Sequence, residues 1–357
     1  MSAAPAPTRA AGHHRATLME APDDLDELNR IFHERGWTDG FPVIPPTPER
    51  VKKMLATVDL EPHELIAPIP PGFGAATVEH IAVNAVLAGC RPEYMPALIA
   101  AVRAATAPEF NLQGIQTTTN PATVWLIING PLAAELQFES GTNCLGQGAW
   151  ANATLGRAMR LVMQNIGGAR PGNMDRATQG QPAKYSFCCA ENEDASPWDP
   201  LHVERGFTRE ESTVTVVGAA GTTNMNTHDK DAGEVIRVIA ETMAFPPSND
   251  YWIGGTPWLV LSPEHANIIH EAGVSKADLK HRLWQESKMR ASRMAPKDLA
   301  RTKYSRRAEL GEIGPDTLLP ISSSPEDIGI IVAGGPGTHS VYVPSFGDTR
   351  PVSRKIE

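Results

Sequence analysis

Cys144 sits in GTNCLGQGAW, flanked by Gly141, Gly146 and Gly148 and followed at once by a segment of helical periodicity. A thiol just ahead of a helix can lose its proton to the unpaired backbone N–H groups and positive dipole end there, and the thiolate is a nucleophile. Glycines let backbone amides come close to a ligand, so Gly146 and Gly148, with Asn143, read as positions that bind substrate or hold an oxyanion beside it. The competing reading makes Cys144 a small apolar filler in a crowded turn. Cys90, in LAGCRPEYM, also precedes a helix, but the helix before it is apolar and a buried thiol is expected. Cys188 and Cys189 end KYSFCC, a β-like run that sends the two side chains to opposite faces.

The most polar and least periodic stretch inside the chain follows that pair: AENEDASPWDPLHVERGF, residues 190–207. Glu191 and Glu193 share one side if the chain is extended, and His202, Glu204 and Arg205 come after the tight SPWDP turn. Carboxylates and an imidazole placed together move protons, and Arg205 would bind a charged group. The same residues could form a structural salt-bridge knot.

TTNMNTHDKD (222–231) follows one predicted strand and precedes a helix, which in an open sheet is a carboxyl-end position. Asn224 and His228 are therefore further candidates for substrate contact, and Asp231 for a helix cap. A metal site would have to draw on His202, His228 and His265, yet no H-E-x-x-H or H-x-H spacing occurs, so no metal ligands are assigned. AGGPGTH (333–339) lacks the spacing and following helix of a dinucleotide loop, and no Gly-Lys-Ser/Thr ending is present. Neither an NAD nor an ATP motif is found, and the cofactor is left unknown.

The elements that must position these residues can be read from periodicity. DDLDELNRIFHER places Leu25, Leu28, Ile31 and Phe32 on one helical face. WTDGFPVIPP is an extended, proline-rich strap, leading into a helix capped by Thr47 with Pro48 at its first position. Helices are expected from about 77 to 87, after Pro92, and from about 149 to 166; strands at TVWLIING, STVTVVGAA and PWLVLS; and further helices at DAGEVIRVIAETMAF and PEHANIIHEAG. DIGIIVAGGPGTHSVYVPSF reads as a hairpin with a glycine-rich turn. No internal repeat stands out. These elements predict an α/β or α+β fold with a central mixed sheet and helices around it. Residues 1–18 form a disordered tail in this reading, 19–60 the N-terminal helix and strap, and 61–357 the main domain. Within it, 276–310 reads as a basic, solvated helical arm or oligomer contact, or as a peripheral helix packed on the body, with a narrow apolar stripe of Leu279, Leu283 and Trp284.

A chain of 357 residues with 41% hydrophobic and 20% charged residues has globular composition. Its net charge of −9 argues against a phosphate-binding nucleic-acid surface. Four cysteines in so long a chain make no disulfide framework, and no apolar run reaches membrane-spanning length, so a cytoplasmic protein is expected.

The stretches GWTDGFPVIPPTPERV, AVNAVLAGCRPEYMP, IINGP, ANATLGRAMRLVMQNIGGARPG and AENEDASPWDPLHVERGF together resemble a bacterial family met in association with small UGSC-type (seleno)proteins. The likeness runs from about residue 25 to 290. It implies that this chain is the large, substrate-binding partner in thiol- or selenol-dependent chemistry, in an oligomer with a UGSC-type protein. The chain has no UGSC or CGSC motif of its own, so such a redox centre would arrive on the partner. The leading expectation is thus an enzyme of small-molecule catabolism, a thiol-dependent oxidoreductase or lyase, with Cys144 as nucleophile and Glu191, Glu193 or His202 moving protons. The alternatives are a half-site subunit completed by a partner chain, and a metal-dependent hydrolase or lyase.

Overall fold

The computed structural model describes residues 16–357. Of the tail expected over 1–18, only the last three residues are therefore described, and Ala16 donates its N–H to Glu79 Oε2 at 2.9 Å. In chain order the elements begin with α1 (Leu25–Glu34), α2 (Pro48–Leu55), the hairpin strands β1 (Leu65–Ile69) and β2 (Gly74–Thr77), α3 (Val78–Ala88), α4 (Met95–Ala105) and α5 (Leu112–Thr117). Then come β3 (Thr123–Asn129), α6 (Pro131–Glu135), α7 (Trp150–Asn165), β4 (Cys188–Ala190), α8 (Leu201–Glu204), β5 (Thr213–Ala219) and β6 (Thr223–Asn226). A second series follows: α9 (Ala232–Met243), α10 (Asn249–Ile253), β7 (Trp258–Leu261), α11 (Pro263–Glu271) and α12 (Lys276–Glu286). A small excursion holds β8 (Met289–Arg290), α13 (Pro296–Ser305), α14 (Arg307–Leu310) and β9 (Leu318–Leu319), before β10 (Gly329–Val332), β11 (His339–Val343) and β12 (Val352–Lys355). Thr47 and Asp231 cap α2 and α9 as the sequence predicts, each accepting a backbone N–H of the first turn.

The fold is α/β, with helices packed around mixed sheets. The sheet is divided in two: β12-β5-β3-β4 and β6-β11-β7-β10, each four strands wide. Residues alternate strictly between faces. Val124, Leu126 and Ile128 pack against α3, α4 and α7, while Trp125 and Ile127 join Trp258 and Val260 of the other sheet in a layer between the two. Leu259 and Leu261 face α9, α11 and α12 on the far side. Cys188 and Cys189 fall on opposite faces, as the period of two requires, and all four cysteines are free.

The two sheets repeat one plan. In each, a central strand has a parallel neighbour on one side and an antiparallel neighbour, then an antiparallel edge strand, on the other. Leu126 lies opposite Cys188 and Val216; Leu259 lies opposite Ile330 and Tyr342. Setting Trp125 against Trp258 brings every other register into coincidence. The edge strands are exchanged: β6 follows β5 in sequence but pairs with β11, and β12 follows β11 but pairs with β5. At the exchange point Ala219 bridges Ser345, Ala220 N–H donates to Pro344 O and Phe346 N–H to Gly218 O, both at 2.8 Å. These reciprocal bonds are those of an approximate twofold, so the chain does contain a repeat. Its trace in sequence is short, TVWLIIN against TPWLVLS, because only the strand core is shared.

The repeat also corrects the expected hairpin. β10 and β11 do not pair with each other; β7 lies between them, parallel to β10 and antiparallel to β11. The 276–310 segment is likewise more integral than an arm. Leu279 and Leu283 are fully buried, and Arg306 is 1% exposed, donating to Tyr251 O and Pro320 O and doubly to Glu309. The N-terminal strap lies along α7, where Arg157 holds Asp39 through two bonds of 2.8 Å and Gln164 donates to Thr38 O.

Candidate functional site

The carboxyl ends of the parallel pair β3 and β4 carry Asn129 and Glu191, both on the side facing the inter-sheet layer. Asn129 Nδ2 donates to Glu191 Oε2 at 2.7 Å and to Glu193 Oε1 at 3.0 Å, so the two glutamates do share one side. Glu193 Oε1 also accepts the N–H of Gly130 at 2.7 Å, at the turn where φ is +85° and a Cβ would strike Glu211 O. Glu191 Oε2 is closed by a second donor, the N–H of Leu201 at 2.8 Å. That bond ties β4 to the start of α8, whose His202 is fully buried with Nδ1 3.6 Å from Glu193 Oε1.

This cluster is under-satisfied. Glu191 Oε1, Asn129 Oδ1, both ring nitrogens of His202 and the hydroxyl of Thr213, which lies opposite Asn129 on the neighbouring strand β5, have no protein hydrogen-bond partner. Buried polar groups are nearly always paired, and five such atoms in one place mark a site rather than a core. Burial pushes the Glu191 carboxyl up from its ordinary value, and the opposing pull of Lys276 is the next largest influence.

On the other side of α8 lies a cavity of about 820 Å³. Arg205 stands in its wall, its guanidinium 5.7 Å from the ring centre of Trp258. Lys276 and Lys280, 9% and 8% exposed, both hold Glu204: Lys276 at 3.0 Å on Oε2, Lys280 on Oε1. Burial alone would raise the Glu204 carboxyl, but the two ammonium groups outweigh it and hold it below its ordinary value. α8 is therefore shared, with Leu201, Glu204 and Arg205 turned to the cavity and His202 to the buried cluster.

Cys144 is placed otherwise. It lies in the loop between α6 and α7, six residues before α7 begins, and its side chain is part of the apolar layer with Trp125, Phe187 and Cys189. Burial and the nearby Glu139 push its thiol up to about 11, opposite in direction to the activated thiolate expected of it. Gly146 gives its N–H to Asn143 O to close a tight turn, and a Cβ there would collide with the Asn143 side chain, which itself donates to Gln147 O. Gly148, at φ +124°, has open space around it. The loop is fastened by Asn152 of α7, which donates to Cys144 O and Glu139 O and accepts from Glu139 N–H.

Asn224 and His228 fall elsewhere again. Part of the segment expected to follow the strand, 223–226, is itself the edge strand β6, and Asn224 Oδ1 accepts from His339 Nδ1 at 3.2 Å, while His228 meets Thr338 Oγ1 at 2.7 Å. His265 is buried and fully used, between Ser340 Oγ and Thr227 O. Among the described residues no group of three or more His, Cys, Asp or Glu side chains is arranged to hold a metal ion.

Of the sequence candidates, the structure thus unites Glu191, Glu193, His202 and Arg205 about α8, and leaves Cys144, Asn143, Gly146, Gly148, Asn224 and His228 outside that group. Asn129, Thr213, Lys276 and Lys280 were missed. The only sequence signal for Asn129 was an amide ending an otherwise apolar strand before Gly-Pro; the lysines looked like a solvated helix face. No described helix is long and apolar enough to cross a membrane. In comparison with known proteins, the chain matches no family model and no curated protein.

Proposed function

We propose that this chain is an enzyme of small-molecule metabolism that works by proton transfer, with Glu191 as its acid–base group. One observation carries the reading: a buried carboxyl at the ends of a parallel strand pair has one oxygen held by two N–H donors and the other, Oε1, without a protein partner. Burial favours the protonated acid. When Oε1 gives up its proton, the charge left behind is held at Oε2 by Asn129 Nδ2 and the Leu201 N–H, with the field of Lys276 added; the reverse transfer restores the acid. Glu193 fixes Asn129, and His202 supplies a second proton-handling group within the same cluster. The substrate is placed in the cavity beyond α8, and because Glu191 does not line it, the proton passes between them by relay rather than by direct contact. We place the protein in the cytoplasm on its four free, buried thiols.

The test is to incubate the chain in D2O with a panel of small carboxylic, hydroxy and keto acids and to follow C–H exchange or conversion by NMR. Turnover is expected from the native chain and a loss of about 10²- to 10⁴-fold from Glu191→Gln with its circular dichroism unchanged. Full activity in that variant rejects the reading.

Thiol-dependent chemistry at Cys144 is a second proposal, resting on the downward pull of the Cys144 and Leu145 amides on its thiol, which burial outweighs. The resemblance to the UGSC-associated family adds that a small partner supplies the cysteine or selenocysteine. Co-purification with such a partner, and activity that depends on it, tests that version.

A further inference from the structure

We infer that the cavity walled by Arg205, Lys276 and Lys280 is a carboxylate-binding site, and that the molecule it takes is a small monocarboxylate with an apolar portion. The inference rests on the acid–base reading above for what happens to the ligand, and on the cavity alone for its binding.

The charges on the cavity wall do not balance locally. At the rim Arg350 is paired with Asp327, and Asp199 with Arg209, while Glu326 stands in the field of Lys280. Farther in, Arg205, Lys276 and Lys280 face Glu204, and with Glu326 counted the three cations exceed the two carboxylates by one. Glu204 gives one oxygen to each lysine and acts on Arg205 only through its field, and Lys276 spends a further hydrogen on Asp199 O at 3.0 Å. Among the described residues no carboxylate lies within ion-pairing distance of Arg205. Its single protein hydrogen bond is a long one, Nη1 to Pro351 O at 3.3 Å, and its Nε is buried without a partner. A guanidinium in that condition has no directly bonded carboxylate and an incompletely used donor set.

The twofold explains how the position arose. In the first sheet the ring of Trp125 is stacked by Phe187 at 5.1 Å. The residue at the matching register in the second sheet is Gly329, and the Trp258 indole lies so close over it that a Cβ would stand 2.2 Å from the ring. Without an aromatic side chain at 329, the other neighbour of the indole is Arg205, its guanidinium carbon 5.7 Å from the ring centre. A ligand carboxylate would accept two parallel N–H bonds from such a fork, neutralising a single excess charge, which one carboxylate does and a phosphate dianion exceeds. Leu201, Ile328 and Trp198 receive the apolar remainder, and about 820 Å³ is room for a small molecule.

Calorimetric titration of the full chain with acetate, propionate, butyrate and benzoate, each against its neutral amide, tests the site. At least one acid is expected to bind, its amide at least tenfold more weakly. Arg205→Met should weaken binding by 30-fold or more, and Arg205→Lys, which keeps the charge and loses the fork, by about tenfold. Glu191→Gln should bind as the native chain does. No binding by any acid, amides that bind as well as acids, or native affinity in a folded Arg205→Met overturns the inference. If Arg205→Met does not fold, the Arg205→Lys ratio decides, and an unchanged affinity there overturns it. Arg205-dependent binding with turnover unaffected by Glu191→Gln would sink the acid–base reading and keep the site; turnover indifferent to Arg205 would do the reverse.

Discussion

Glu191 in the first half of this molecule and Asp250 in the second are both buried carboxyls, and the two are finished differently. Asp250, in α10 of the second half, is fully enclosed and burial pushes its carboxyl up to about 6. Both of its oxygens are closed: Oδ1 by Ser345 Oγ at 2.5 Å, Oδ2 by Ser248 Oγ, Tyr342 OH and the N–H of Ser345 at 2.8 to 3.2 Å. Glu191, in the first half, is as deeply buried and shifted in the same direction, yet one oxygen is left open. The repeat makes the contrast sharper. The first-half counterparts of Tyr342 and Ser345 are Val216 and Ala219, which donate nothing, and the second-half counterpart of Glu191 is Ala333. A carboxyl that holds a fold together has every lone pair answered; one that exchanges a proton must keep a lone pair free.

The largest effect expected from this contrast is on turnover. Glu191→Gln should lower it by about 10²- to 10⁴-fold, whereas Asp250→Asn should leave it within about threefold. Equal losses in the two variants would remove the distinction between the carboxyls. Next in size are the paired indoles, 5.9 Å apart at the centre of the inter-sheet layer. Trp125→Ala and Trp258→Ala should each cost about 3–5 kcal/mol in denaturant unfolding. Only the Trp258 variant should also weaken carboxylate binding, because only that ring carries Arg205. A similar loss of affinity in both would show that the cavity senses general loosening rather than the guanidinium beside Trp258.

The third prediction concerns pH. The folded-state value of Asp250, about 6, lies above its ordinary 3.8, so the folded state binds this proton more tightly than the unfolded chain does. The associated stability is fully present below about 3.8 and is lost as pH rises through about 6. At most ~3 kcal/mol is at stake. The difference in unfolding free energy between the native chain and Asp250→Asn, measured from pH 4 to 7, should therefore move against the native chain as pH rises. A flat difference would mean that the hydroxyl donors hold the ionised form as well as the neutral one.

Much of this was legible before the structure. Residues 190–207 stood out because an aperiodic, charged stretch inside an apolar body has no packing explanation, and Glu191, Glu193 and His202 do converge there. Helix ends were readable at Thr47 and Asp231 because capping is local. What escaped depends on partners distant in sequence. β7 lies between β10 and β11, so a hairpin inferred from adjacency was bound to fail. Lys276 and Lys280 read as solvated until Glu204, more than seventy residues earlier, is placed beside them. The repeat hid because exchange of the edge strands puts β6 and β12 in the opposite halves, leaving only the two tryptophan strands alike.

The smallest effect expected is at Cys144, where the sequence pointed first. Its glycine-rich setting suggested a thiol opened to helix amides, but Gly146 uses its N–H within the turn and the sulfur faces Trp125 and Cys189 rather than Glu191 or His202. A thiol pushed up to about 11 is almost wholly protonated at neutral pH and reacts slowly with disulfides. Cys144→Ala should therefore keep turnover within about twofold of the native chain, cost roughly 1–2 kcal/mol through lost packing, and leave the rate of thiol labelling at pH 7 unchanged. A loss of turnover comparable to that of Glu191→Gln would move the chemistry from the ends of β3 and β4 to the loop before α7. The unanswered oxygen of Glu191 would then need another explanation, and ordered water joining it to Asn129, Thr213 and His202 is the one that their geometry permits.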